Sequence, residues 1–172
     1  MCITNATPLI YLVKARKLEL LLKIFKTVQV PYEVKVEVVD VGKKLGYIDA
    51  SLVEKAIKRG EIIVHKLEKD KILEAKRIAD NFNIDLGEAQ VIVLAKSKNE
   101  KIVIIDDFIA RNVAEINDLE PIGTLGILLE SVKRGILSKK ESKKVLDELI
   151  DKGFRLGVDI YKKFLEVLSS IS

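Results

Sequence analysis

Four β-forming apolar residues in a row, Ile102-Val103-Ile104-Ile105, lie between Lys101 and the pair Asp106-Asp107. No other feature limits the fold of this chain as much. A strand with one face in water alternates apolar and polar residues; an unbroken apolar run belongs to a strand covered on both faces, as in a parallel sheet. The segment before it has the same character. Residues 86–97 read as a helix opened by Asp85, and Ala89, Val91, Ile92, Val93, Leu94 and Ala95 leave it almost no polar face. A helix of that kind is buried.

The remaining segments alternate in the same way. Residues 2–5 read as a short strand, Thr7 as an N-cap and Pro8 as the first helical residue, with helical turns over 8–13 and 17–25. A strand at 28–30 ends at Pro31, and 32–41 reads as a helix despite its β-branched valines. After a loop at Gly42 and Gly46, the pattern gives a helix over 49–59 closed by Gly60, a strand over 61–67 and a helix over 69–82. In that last helix Ile72, Ala75, Ala79 and Phe82 share one face. Then come the strand 101–106, a helix over 107–117, a short strand within 119–123 and a helix over 124–134. Two amphipathic helices, 139–151 and 158–169, are separated by Lys152-Gly153-Phe154-Arg155. Strands alternating with helices predict an α/β fold: a parallel sheet with helices on both faces and the last two helices appended.

Composition narrows the chemistry. The 172 residues suffice for one domain with a sizeable core, and 48% hydrophobic with 33% charged residues is a globular balance. Cys2 is the only cysteine and His65 the only histidine, so neither an intramolecular disulfide, a cysteine zinc cage nor a multi-histidine site can form. Any metal is then a hard cation held by oxygens, such as Mg²⁺ or Mn²⁺. Cys2 and His65 read as structural. The net charge of +4 is compatible with a polyanionic partner and equally with a mixed-charge surface. The start MCITNATPLI lacks a basic signal-peptide region, and no apolar run approaches the ~20 residues of a membrane helix. A cytoplasmic protein is expected, and the Lys-, Glu- and Ile-rich composition hints at a thermophile.

In a parallel sheet, ligands bind at the carboxyl edge of the strands. Asn5 ends the first strand, Asp106 and Asp107 end the run at 102–105, and Gly123-Thr124 follows the last strand; Glu37 and Glu88 lie near helix starts. Together these residues offer oxygen donors for a hard cation. Each also has a plainer reading. Asp85 and Glu88 fit a capping box. Asp106 and Asp107 fit helix caps, Glu37 a solvent-facing helix residue and Asn5 a turn. Gly123-Thr124-Leu125-Gly126 reads as a phosphate cradle or as a strand-to-helix turn capped by Thr124. Spacing alone leaves both sets open.

The ordered segments NATPLI (5–10), PYEVKVEV (31–38), DLGEAQVIVLA (85–95), IVIIDDFIAR (102–111) and PIGTLGILLESVKRGIL (121–137) resemble the PIN domain family. The similarity is to a PIN-like subgroup of archaeal and bacterial proteins related to VapC-type toxins. GFRLGVDIYKKFLEVL (153–168) resembles the C-terminal segment of that subgroup. The resemblance implies a three-layer α/β/α sandwich with a central parallel sheet. It implies a PIN-like domain over 1–137 and a helical extension over 138–172 packed on it. It further implies a Mg²⁺- or Mn²⁺-dependent ribonuclease, often the toxin of a toxin–antitoxin pair, with RNA as substrate, an antitoxin as partner and a homodimeric state. Carried over by position, the acidic site falls on Asn5, Glu37, Glu88 and Asp107, with Asp106 as an extra carboxylate at the metal. Thr7 falls at the companion Ser/Thr position and Thr124 behind the ligands, both beside the substrate; Arg111, one turn after Asp107, reads equally as a contact to substrate phosphate or as a surface salt bridge. Two residues depart from the family pattern: Asn5 stands where Asp is usual, and Glu88 is one methylene longer than the usual Asp. Loss of one negative charge predicts weaker metal binding.

Two other classes compete. VIIDD also resembles the acidic strand end of a response-regulator receiver, but no later strand ends in Asp. A PIN-like module without catalysis, acting by binding RNA or protein, is favoured by Asn5. Lys14, Arg16 and Lys17 read as a basic rim or a solvated surface. Nine aromatic residues and no Trp argue against a base-stacking platform.

Overall fold

The computed structural model describes residues 1–172, except for the side chains of Ile48 and Asp49 at the start of the helix expected over 49–59, which lie outside the described residues. Five strands, β1 (Cys2–Thr4), β2 (Val28–Pro31), β3 (Ile62–His65), β4 (Ile102–Ile104) and β5 (Glu120–Ile122), form one parallel sheet in the order β3-β2-β1-β4-β5. The chain builds outward from β1 to β3, then returns to the other side of β1 for β4 and β5. β1 pairs with β2 through Cys2 and Val28 and with β4 through Ile3 and Val103. The crevice at which the winding reverses therefore lies between β1 and β4, where an open parallel sheet binds ligands.

The pleat separates two cores. Cys2 and Ile104 point into one apolar cluster, whereas Ile3, Val103 and Ile105 point into the other. The first is closed by α1 (Ala6–Lys14), α2 (Leu18–Phe25), α5 (Ile48–Lys58), α9 (Thr124–Lys133), α10 (Lys139–Asp151) and α11 (Val158–Ser170). The second is closed by α7 (Leu86–Lys98) and α8 (Phe108–Ile116), with α6 (Lys69–Phe82) laid over α7. Helices on both faces make the three layers. As its sequence predicts, α7 is buried continuously from Glu88 to Ala95.

Several local expectations are corrected. The first helix begins at Ala6, not at Pro8, and its N-cap is Asn5, not Thr7. Asn5 reaches the capping position because β1 stops at Thr4; Pro8 then falls in the first turn, where a missing N–H costs no helix bond. The helix expected over 32–41 is α3 (Tyr32–Lys35), a π-helical segment (Val36–Val41) and α4 (Gly42–Lys44). The π-helical turn is wider than an α-turn, and the widened segment contains Glu37. The strand at 61–67 shortens to β3. Phe82 is exposed, and α6 meets its neighbours through Ala75, Ile78 and Ala79.

Helices α10 and α11 share the core of the sheet: Val145, Leu146, Leu149, Phe164 and Leu168 belong to the same cluster as Ile127 and Leu128 of α9. Leu146 is 0% exposed. Leu146→Ala should therefore lower global stability by about 2–5 kcal/mol in one cooperative urea transition. A separate early transition confined to the last two helices would contradict a shared core.

Candidate functional site

The residues that follow β1 and β4 meet at a cleft of about 870 Å³ on the carboxyl edge of the sheet. Thr7, Asp85, Glu88, Asp106, Asp107 and Arg111 line it. Asn5 leaves β1, caps α1 and is 7% exposed; its Oδ1 accepts from the Ala6 N–H at 2.7 Å. Its Nδ2 donates to Glu88 Oε1 at 3.4 Å. The other oxygen of Glu88 accepts from the Asp85 N–H at 3.2 Å as half of a capping box. The plain and the functional readings of Glu88 thus hold together: the capping box orients the same carboxylate that faces Asn5. Gly87 lies beside them, where an added Cβ would stand 3.5 Å from Asn5 Oδ1.

Asp107 is the N-cap of α8, accepting from the Ala110 N–H at 2.8 Å, and remains exposed. Asp106 is turned to α9 instead. Its Oδ1 accepts from the Thr124 N–H and its Oδ2 from the Thr124 hydroxyl, each at 2.6 Å. A carboxylate therefore occupies the positive end of α9, and the Gly123–Gly126 segment is a strand-to-helix turn holding Asp106, not an open phosphate cradle. Gly123 permits this approach; a Cβ there would meet Asp106 Oδ1 at 2.9 Å and Arg111 Nη1 at 2.8 Å. Arg111 lies against the same corner, its Nη2 donating to the Pro121 carbonyl at 3.5 Å.

The electrostatics are those of crowded acids. Burial and the charges of Asp107, Asp85 and Glu37 push Glu88 up to about 7, against a weaker opposing effect from the Asp85 N–H. Glu37 is pushed up by partial desolvation and by Asp85. Asp106 is pushed up by burial, offset by Thr124 and Arg111. Among the described residues no Lys or Arg lies within ion-pair distance of Glu37, Asp85, Glu88 or Asp107. Also among the described residues, no three Asp, Glu, His or Cys side chains close on a single point. By donor chemistry and uncompensated charge the set fits a hard divalent cation; it is not a preassembled cage.

Glu37 is exposed and does not line the main cleft; it borders a smaller hollow with Lys14, Val38, Val41 and Leu45, near enough that Asp85 raises it and that it in turn raises Glu88. Lys14, Arg16 and Lys17 do not line the cleft. Lys14 and Arg16 border another depression with Glu148 and Asp151, and Lys17 lies 3.9 Å from Glu19. His65 ends β3 at the far edge of the sheet, and burial pushes the Cys2 thiol up to about 12, which leaves it unreactive at neutral pH. Sequence reasoning missed two features. Asp85, read only as a cap, faces the cleft and acts on both Glu88 and Glu37. The loop between α10 and α11 forms part of the cleft wall through Phe154, Arg155 and Leu156. A buried-type Phe beside an Arg between two glycines, Gly153 and Gly157, is the only signal the sequence offers for that loop.

The raised Glu88 has a consequence for stability. Without metal, the folded protein holds the Glu88 proton up to about pH 7, whereas an unfolded chain loses it near the ordinary 4.5. The associated stability is full below about 4.5 and is lost as pH rises to about 7. In chelator, wild type should lose about 1–3 kcal/mol more than Glu88→Gln across that interval, read by urea denaturation at stepped pH. Parallel pH profiles for the two proteins would remove the crowding.

No curated protein and no solved structure gives a match. A family model described as a PIN domain matches residues 1–170, nearly the whole chain. That match agrees with the parallel sheet, the helices on both faces and the acidic edge between β1 and β4. The chain belongs to the PIN domain family.

Proposed function

We propose that the protein is a Mg²⁺- or Mn²⁺-dependent endoribonuclease that hydrolyses RNA phosphodiesters to 5′-phosphate and 3′-hydroxyl ends. The PIN domain is a nuclease fold that generally uses divalent metal ions. The observation that carries the reading is the crowding of Glu88, at the cleft, by Asp107, Asp85 and Glu37, with no Lys or Arg within ion-pair distance of them among the described residues. Mutual repulsion of this kind is relieved by a cation, which stabilises the folded site in return.

In this reading Glu37, Glu88 and Asp107 hold the ion, Asn5 contributes a neutral oxygen, and Asp106 adds charge beside Asp107. When bound, the ion supplies Lewis acidity toward water and the phosphodiester. The chain's own residues do the positioning. Asn5 Nδ2 and the Asp85 N–H orient the two oxygens of Glu88. The α8 cap fixes Asp107. Thr124 holds Asp106, and Arg111 balances its charge. Thr7 lines the cleft within the first turn of α1, on the substrate side. The proposal extends to a body of residues 1–137 with a helical extension over 138–172. It includes a role as the toxin of a toxin–antitoxin pair, an antitoxin as protein partner and a homodimeric state.

The test is cleavage of a single-stranded RNA in Mn²⁺ by wild type beside Asp107→Ala. Metal-dependent cleavage that falls at least about 100-fold in the variant supports the nuclease. Equal cleavage by both proteins, or none by folded wild type, refutes it.

A second reading, a binding module without catalysis, is favoured by Asn5, whose Oδ1 already accepts from the Ala6 N–H. Asn5→Asp separates the two. It replaces a donor to Glu88 with a charge, so the metal-free variant should be less stable by about 1–2 kcal/mol. Calorimetric Mn²⁺ affinity should rise, and a nuclease weakened by Asn5 should cleave faster. A variant that binds Mn²⁺ more tightly yet cleaves nothing supports the binding module.

A further inference from the structure

We infer that Arg155 is a substrate-positioning residue that grips a phosphate of single-stranded RNA, with Phe108 receiving an adjacent unpaired base. The inference rests on the nuclease reading of the cleft and adds two substrate contacts to it, Arg155 and Phe108.

The loop that carries Arg155 is held in place. Phe154 is buried and meets the Tyr11 ring edge-on, with centroids 5.1 Å apart. The Tyr11 hydroxyl donates to the Gly153 carbonyl at 2.9 Å, and the Phe154 N–H donates to the Leu149 carbonyl at 2.9 Å. Gly153 has φ +94°, a backbone that suits glycine. Tyr11 belongs to α1, the helix that Asn5 caps, so the loop and the acidic edge are tied to one element. Arg155 follows directly and lines the cleft that holds Glu88 and Asp107.

Charge makes the assignment specific. Asp85, Glu88, Asp106, Asp107 and Glu115 line the cleft, and Arg111 and Arg155 are its cations. Arg111 lies in the Asp106 corner, its Nη2 3.5 Å from the Pro121 carbonyl and its charge acting on Asp106. Arg155 is exposed and, among the described residues, makes no ion pair or side-chain hydrogen bond. A polyanion entering an acidic cleft needs a counter-charge on its own side, and a free guanidinium matches phosphate with two parallel donors. The cleft also carries apolar surface. Phe108, directly after Asp107, is 74% exposed and Ile160 is 54% exposed. An exposed ring takes the face of an unpaired base, which a duplex keeps stacked inside its helix. One aromatic ring next to a catalytic carboxylate serves this without a multi-ring platform.

The experiment uses Asp107→Asn protein, to prevent cleavage, with a single-stranded RNA carrying a fluorescent base analogue, in Mn²⁺ at stepped salt. Arg155→Ala should weaken binding about ten-fold and reduce the log–log salt slope by about 0.7, the value for one phosphate contact on a single strand. Arg155→Lys should restore the slope and only part of the affinity. Phe108→Ala should lose the fluorescence change and keep the slope, and a duplex of the same sequence should be insensitive to it. Unchanged affinity and slope in Arg155→Ala, or equal sensitivity of duplex and single strand to Phe108→Ala, overturns the inference. RNA bound with the expected pattern by a wild type that cleaves nothing would refute the nuclease and leave this contact standing. Cleaving wild type with an unaltered KM in Arg155→Ala would do the reverse.

Discussion

The burial of α7 is the constraint on which the rest depends. From Glu88 to Ala95 every residue is out of water, so the helix has one permitted place, between the sheet and α6. Its N-terminus is thereby brought to the carboxyl edge of β1. A carboxylate in its first turn is largely buried, opens only onto the cleft, and must find partners where it lies. Glu88 finds the Asn5 amide and the Asp85 N–H, two donors of which neither is cationic. The same packing that stabilises the fold therefore creates an acidic group with a raised proton affinity at the switch point of the sheet.

The acids around that point fall into two groups by what holds them. Asp106 is satisfied by Thr124, the α9 N-terminus and the nearby Arg111, and its identity is explained by architecture alone. Glu37, Asp85, Glu88 and Asp107 have no Lys or Arg within ion-pair distance among the described residues, and the charges of Asp107, Asp85 and Glu37 raise Glu88 while Asp85 raises Glu37. Adjacent residues in sequence, Asp106 and Asp107, thus serve different ends: one carboxylate binds two elements together, and the other caps a helix while facing the cleft. Asn5 fits the same balance. A neutral amide in its place lowers the repulsion that Glu88 must bear and supplies it a hydrogen bond, at the cost of one charge for a cation.

Most of the fold was legible because its elements carry strong local signals. Helices α6 and α10 begin and end where amphipathic periodicity predicted, at Lys69–Phe82 and Lys139–Asp151. The apolar strand β4 and the buried helix α7 were recognisable from composition. Boundaries were lost where local preference met tertiary demand. Thr7 and Pro8 make a sound helix start in isolation, yet β1 ends early and gives the cap to Asn5. Valines between residues 34 and 41 hide a π segment, since no local code specifies the extra residue in the turn. Phe82 follows helical periodicity and still points to solvent.

What the sequence determined by itself was the kind of site available. One cysteine and one histidine confine any metal to oxygen donors, and apolar strands that end in Asn5 and Asp106-Asp107 put polar groups on one edge. Those are statements about composition and chain direction, which need no partner. Tertiary structure decided which groups meet: the Asn5–Glu88 contact spans 83 positions and the Asp106–Thr124 contact 18. It gave Asp85 a face on the cleft, removed Lys14, Arg16 and Lys17 from it, and brought Arg155 in on a loop anchored by Tyr11. The physical reason is range. Capping and periodicity act over a few residues, whereas desolvation and charge depend on everything folded within a few ångströms, whatever its position in the chain.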